Sequence, residues 1–152
     1  MDSWLILRSL ETYTIRIKAQ EDNTRKVAEF LQDHPAVERI RYLGNIADWN
    51  PAQQVIFSEE YGGIGSMIAL YIKGEEREAF TVLDHIEIFK LGVSLGSTES
   101  LAEHPYSMTH AKVEDDLKEE IGITNSLIRL SIGVEDAKDL IDDLNTALNL
   151  II

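Results

Sequence analysis

"SLIRLSIGVEDAKDLIDDLNTALNLI" (residues 126–151) changes its hydrophobic period partway along. Residues 126–132 are a short, nearly continuous apolar run with one arginine inside it, the pattern of a strand. In 135–151 Ala137, Leu140, Ile141, Leu144, Ala147, Leu148 and Ile151 recur at the three-and-four spacing of a helix with one apolar stripe. A strand followed by an amphipathic helix that must cover it is a unit of a layered fold. Alternation along the strand sends Ile128, Leu130 and Ile132 toward the helices, and Leu127, Arg129 and Ser131 to the other face. Arg129 then needs an anion, because a guanidinium does not shed its proton to escape burial. Two readings stay open: a structural salt bridge to Glu99 or Glu135, or a planar fork that grips a ligand carboxylate through parallel hydrogen bonds.

Outward from this segment, helices and short strands alternate. Leu7, Leu10, Ile17, Val27, Ala28 and Leu31 suggest one long helix from Trp4 to Leu31, its stripe interrupted by Gln20, Glu21 and Thr24 and its end set by His34-Pro35. "VERIRYL" (37–43) reads as a half-buried edge strand and "GNIADWNPAQQ" as a loop, with Pro51 in the first turn of a short helix to Glu60. "YGGIGS" (61–66) resembles a phosphate-binding turn only in its glycines: the P-loop lysine and hydroxyl are missing, and the strand "MIALYI" (67–72) follows where a helix would be needed. "GEEREAFTVLDHI" (74–86) and "EDDLKEEI" (114–121) read as helices, and "FKLGV" (89–93) as a short strand. The expected fold is α+β, a small, mainly antiparallel sheet with helices packed mainly on one face, formed by residues 1–152 as a single domain.

Composition excludes several classes of partner. The 152 residues are 44% hydrophobic, enough for a real core, and carry a formal net charge of -13. Such acidity disfavours nucleic acid and anionic membrane as partners. Without cysteine there is no disulfide or thiolate chemistry, and with neither a leader-like start nor a long apolar span the expected location is cytoplasmic. "SLGSTESLAEHPYSMTH" (94–110) is a long polar connection that reads as neither helix nor strand, a kind of loop that is commonly functional. His34 and His85 read as surface or boundary positions. His104 and His110, with Glu99 or Glu103, lack a characteristic metal-ligand spacing. Asp142-Asp143 reads as a solvated helix face.

Two quoted stretches carry a resemblance. "SLGSTESLAEHPYSMTHA" (94–111) and "GITNSLIRLSIGVEDAKDLIDDLNTAL" (122–148) resemble the C-terminal domain of the pyridoxal-phosphate (PLP) enzymes of cysteine and methionine metabolism. These are the transsulfuration enzymes, such as cystathionine gamma-synthase, cystathionine gamma-lyase and methionine gamma-lyase. "WLILRSLETYTIRI" (4–17) resembles the start of the same domain, with Ser9 in place of a glycine and Tyr13 in place of a leucine, and "NTRKVAEFLQDHPAVERIRYLG" (23–44) follows the family pattern as well. "NIADWNPAQQ" and "GGIGSMIALYI" depart from it.

The resemblance implies roles residue by residue. Arg129 matches the arginine that binds the α-carboxylate of the amino-acid substrate, Ser94 a loop residue contacting that carboxylate, and Thr109 a threonine lining the pocket. Val93 precedes the Ser-Leu-Gly motif, where cystathionine-handling members often carry glutamate and methionine gamma-lyases valine, which points to a lyase-type relative. PLP is the cofactor of the full-length family. The cofactor lysine belongs to an N-terminal PLP-binding domain without a counterpart here, and Lys18, Lys26, Lys73, Lys90, Lys112, Lys118 and Lys138 all lie in unlike contexts. The chain alone is therefore expected to bind no cofactor and to be inactive, with the missing PLP domain and a second copy of the chain as its partners. The alternative is a stand-alone binding or interaction module derived from the family.

Overall fold

Two faces of one sheet organise this computed structural model, which describes residues 2–152, the side chains of Ala47 and Asp48 excepted. Strands β1 (Val37–Arg41), β2 (Met67–Ile72), β3 (Lys90–Leu91), β4 (Leu101–Glu103) and β5 (Leu127–Ser131) lie in the order β1-β2-β5-β4-β3. Neighbours are antiparallel except β3 and β4, which run parallel. Six helices accompany them: α1 (Asp2–Leu10), α2 (Tyr13–Gln32), α3 (Pro51–Glu60), α4 (Glu76–His85), α5 (Asp115–Glu120) and α6 (Ala137–Leu148). This is the α+β arrangement that the alternating pattern implies.

Register places the core. Ile40, Leu70 and Ile128 form one cross-strand row, and Ile68, Leu130 and Ala102 the next; all lie in the main hydrophobic core. Covering them are Val27, Ala28 and Leu31 of α2, Ala79, Val82 and Leu83 of α4, and Leu140, Leu144, Ala147 and Leu148 of α6. Each fully buried leucine or isoleucine here contributes on the order of 1.5–3 kcal/mol. The opposite rows are Arg39, Tyr71, Leu127, then Arg41, Ala69, Arg129, Glu103, then Met67, Ser131, Leu101. In β1 the register shifts between Val37 and Arg39, which lets Val37 and Ile40, three residues apart, both be buried.

Several expectations change. The long N-terminal helix is two helices, parted at Glu11-Thr12. The Thr12 hydroxyl and the Arg16 guanidinium both donate to the Ser9 carbonyl, supplying the partners that continued helix would have given it. The 94–110 connection contains a strand, β4, whose three residues are all buried. Of "GNIADWNPAQQ", residues 43–48 form a 3-10 helix, and Asn50 caps α3 by accepting from the Gln53 backbone N–H at 3.0 Å. Asp143 is no solvated residue: its carboxylate accepts the backbone N–H groups of Glu87, Ile88 and Phe89, tying the chain after α4 to α6.

The polar residues that break the α2 stripe have structural partners. Gln20 donates to the Ser97 carbonyl at 2.6 Å, and Asn23 to the carbonyls of Gly133 and Glu135 at 3.2 and 2.8 Å. Glu21 accepts from Gly65 at 3.0 Å, so one helix holds three glycine-containing loops. Gly133 has to be glycine, because a Cβ there would collide with the Thr98 carbonyl oxygen.

His34 is buried rather than superficial, and its Nδ1 accepts the Ala36 N–H at 3.2 Å, which requires a neutral ring. Burial, opposed by a hydrogen bond with Asn145, holds its pKa below the ordinary 6.5. The unfolded chain therefore takes up a proton near pH 6.5 that the native chain refuses, and stability falls as pH drops through this range. Urea unfolding at pH 7.5 and 5.5 should show that loss, and His34→Gln should shrink it. An unchanged pH slope in the variant would rule out His34 as its source.

Candidate functional site

Arg129 sits on central β5, between Ala69 on β2 and Glu103 on β4. Its Nη1 lies 2.8 Å from Oε1 of Glu103, a carboxylate 1% exposed, while the arginine side chain keeps 23% exposure. Neither Glu99 nor Glu135 is the partner. Glu135 instead accepts from the Ser100 N–H and hydroxyl at 2.6 and 2.9 Å, pinning the loop ahead of β4. As the arginine's partner Glu103 is not visible in the sequence, because its strand is too short to show alternation. The signal present was an acid at the end of "SLAE", within the same polar connection that carries Ser94 and Thr109.

The four residues singled out in the sequence do gather at one place. Arg129 Nη2 donates to the Val93 and Ser94 carbonyl oxygens at 2.9 and 3.0 Å. Val93 and Ser94 thus meet the guanidinium through backbone, and both side chains are left exposed. Thr109 reaches it through the acid, its hydroxyl donating to Glu103 Oε1 at 3.2 Å and also meeting His110 Nδ1. Gly96, with φ of +73°, turns the loop back so that its N–H donates to Ser131 Oγ on the same face. Within this cluster, two buried polar atoms have no partner among the described residues: Arg129 Nε and Glu103 Oε2. The guanidinium therefore has donor capacity that the fold leaves unfilled.

Arg129 forms part of the wall of a cavity of about 370 Å³, lined also by Arg41, Leu43, Trp49, Met67 and Ala69. Apolar walls lower the local dielectric and strengthen any charge contact made there. His104, by contrast, is structural: it is fully buried, its two ring nitrogens meeting Ser107 Oγ and the Asn125 carbonyl at 2.8 and 2.9 Å. Among the described residues no cluster of His, Asp and Glu is suited to hold a metal ion. Nor is any helix of the described residues long and apolar enough to cross a membrane.

Comparison with known proteins now bears on this arrangement. Residues 1–149 match the family model described as Cys/Met metabolism PLP-dependent enzyme. The chain belongs to that family. Among curated members of the Cys/Met metabolism family, the chain is 41% identical to cystathionine gamma-lyase of Bacillus subtilis over 148 residues, 97% of this chain and 38% of that enzyme. It is 37% identical to L-methionine gamma-lyase of Fusobacterium nucleatum over 150 residues, 99% of this chain and 37% of that enzyme. A crystal structure of a Campylobacter jejuni protein assigned as an O-acetylhomoserine (thiol)-lyase, containing a pyridoxyl-lysine monophosphate, superposes with a TM-score of 0.86 at 33% identity, covering 96% of this chain and 34% of that one. The chain thus spans little more than a third of the length of these relatives.

The lysines of the described residues lie away from the Arg129 cavity. The buried one, Lys118, is committed to Asp115 at 3.1 Å and to the Tyr106 ring at 3.9 Å. The cluster that does exist is a held guanidinium with its partner acid. Glu103→Ala should cost about 2 kcal/mol in urea unfolding, because it strands a largely buried cation, and Glu103→Gln should cost less. Equal losses in both variants would show that packing, not charge, is what Glu103 contributes.

Proposed function

We propose that residues 1–152 act as one unit, the part of a PLP-dependent enzyme of cysteine and methionine metabolism that binds the substrate's α-carboxylate. The carrying observation is Arg129: a guanidinium largely buried against an acid, part of an apolar cavity, with an Nε–H that none of the described residues satisfies. A carboxylate entering the cavity is the natural complement of such a group, since paired N–H···O bonds to one carboxylate add both strength and orientation. The family match supports the same reading, as does the position of Arg129 beside the Val93-Ser94 backbone.

In this reading the division of labour is plain. Elimination or replacement at the β- or γ-carbon belongs to the part of the enzyme that holds PLP and its lysine. This chain fixes one end of the substrate, so that the bonds to be broken are presented in one orientation. Glu103 and the two loop carbonyls orient the guanidinium, and Thr109 braces Glu103. Titration with a simple L-amino acid followed by calorimetry should show binding that Arg129→Gln weakens at least about tenfold. Binding unchanged in that variant overturns the proposal.

The same reading gives α1 a role. None of its residues is buried, and Trp4, Ile6 and Leu7 are all at least 60% exposed. So large an apolar surface on an otherwise acidic protein marks a contact face. We assign it to association with a second copy or with the PLP-bearing part of the enzyme. The free chain should self-associate in sedimentation velocity at micromolar concentration, and the double substitution Trp4→Glu, Leu7→Glu should return it toward a monomer. A wild-type chain that stays monomeric refutes self-association through α1.

A further inference from the structure

A planar guanidinium offers a carboxylate two forks: Nε–H runs parallel to one N–H of Nη2, and an N–H of Nη1 runs parallel to the other. Nη2 belongs to both. In Arg129 it is Nη2 that the loop holds, through the Val93 and Ser94 carbonyl oxygens at 2.9 and 3.0 Å. Nη1 stands 2.8 Å from Glu103, and Nε has no partner among the described residues. The unfilled Nε–H therefore has its fork mate engaged. A carboxylate that takes two parallel hydrogen bonds has to displace at least one of the loop carbonyls.

The segment carrying these carbonyls can give way without disturbing its neighbours. Val93, Ser94 and Leu95 are all exposed, so a carbonyl that leaves the guanidinium meets water and loses little. On either side the chain is pinned by bonds that do not involve Arg129. The Gly92 N–H donates to the Ala102 carbonyl at 2.9 Å, and the Gly96 N–H to Ser131 Oγ at 3.0 Å. One residue further on, Gln20 holds the Ser97 carbonyl at 2.6 Å. Residues 93–95 thus lie between two fixed points with a glycine at each, and Gly96, at φ of +73°, takes a backbone conformation that other residues resist.

We propose that the Val93-Ser94 backbone is an internal stand-in for the ligand carboxylate, a latch that closes on Arg129 and is displaced when an amino acid binds. This rests on the reading of Arg129 as the α-carboxylate anchor and adds a step to it. With the latch closed, the guanidinium is kept oriented by oxygens that mimic those of the ligand. A ligand that takes the fork of Nε and Nη2 opens residues 93–95, so binding and loop position are coupled. The apparent affinity is then the intrinsic one reduced by the fraction of chains whose latch is open, and weakening the latch tightens binding.

Carbonyl 13C shifts of the full chain, with L-norleucine as the probe, test this. Saturating norleucine should move the Val93 and Ser94 carbonyl signals upfield, the direction of a lost hydrogen bond, while the amide protons of Gly92 and Gly96 keep their protection. Gly96→Ala strains the closed loop, because alanine disfavours that positive φ, and should tighten norleucine binding about fivefold in calorimetry. Gly96→Asn, which tolerates the conformation better, should gain less. Arg129→Lys keeps a charge for Glu103 but has no fork; it should weaken binding at least about tenfold and show the released carbonyl shifts without ligand. Binding that depends on Arg129 but leaves both carbonyl signals in place, or that is no tighter in Gly96→Ala, overturns the latch and leaves the anchor standing. Affinity indifferent to Arg129→Lys overturns the anchor and the latch together.

Discussion

A charge on the middle strand of a five-stranded sheet cannot be moved to an edge, and the chain has to be arranged around it. β5 has neighbours on both sides and a helix layer against one face, so Arg129 faces the only side left open. Its charge there is met by one carboxylate, on β4, and by two carbonyl oxygens from the chain just before the loop. Those contacts explain why three residues at 101–103 form a strand at all. Pairing with β5 sets Glu103 directly opposite Arg129, and a slip by one residue would turn the acid into the apolar layer. The loop from 94 to 100 is then fixed at both ends, by Arg129 at Val93-Ser94 and by Glu135 at Ser100.

Ion pairs of this kind are weak evidence for stability, because desolvation offsets much of the attraction. Their value lies in orientation. A guanidinium on a flexible stem would otherwise sample many rotamers, and each contact that restricts it lowers the entropy lost when a ligand arrives. Apolar neighbours such as Met67 and Trp49 add to this by keeping the surroundings of the charge poorly solvated. The donor left over at Nε fits a group built to accept one more partner.

Much of this was legible in the sequence where period and burial coincide. The α6 stripe and the alternation of "LIRLSI" gave the helix face and the stranded arginine, Pro51 marked the start of α3, and the family pattern brought Val93, Ser94, Thr109 and Arg129 to one place. What escaped were contacts between residues far apart in the chain. Glu103 as the arginine's partner, Asp143 as a cap for the chain after α4, and Gln20 and Asn23 as loop anchors are polar residues whose partners lie outside any window of local pattern. The break at Thr12 was missed for the opposite reason: helix propensity continues across it, and only local side-chain hydrogen bonds end the first helix.

The Asn23 anchor spans 110 and 112 residues of sequence. Loop-closure entropy grows with that separation, and contacts of this range slow folding. A nascent chain cannot complete the Ser100–Glu135 contacts that pin the 94–100 loop until residues near 135 have emerged. α2 holds this loop directly, through Gln20 donating to the Ser97 carbonyl. The loop whose carbonyls hold Arg129 is thus tied to a helix of the layer on the opposite face of the sheet.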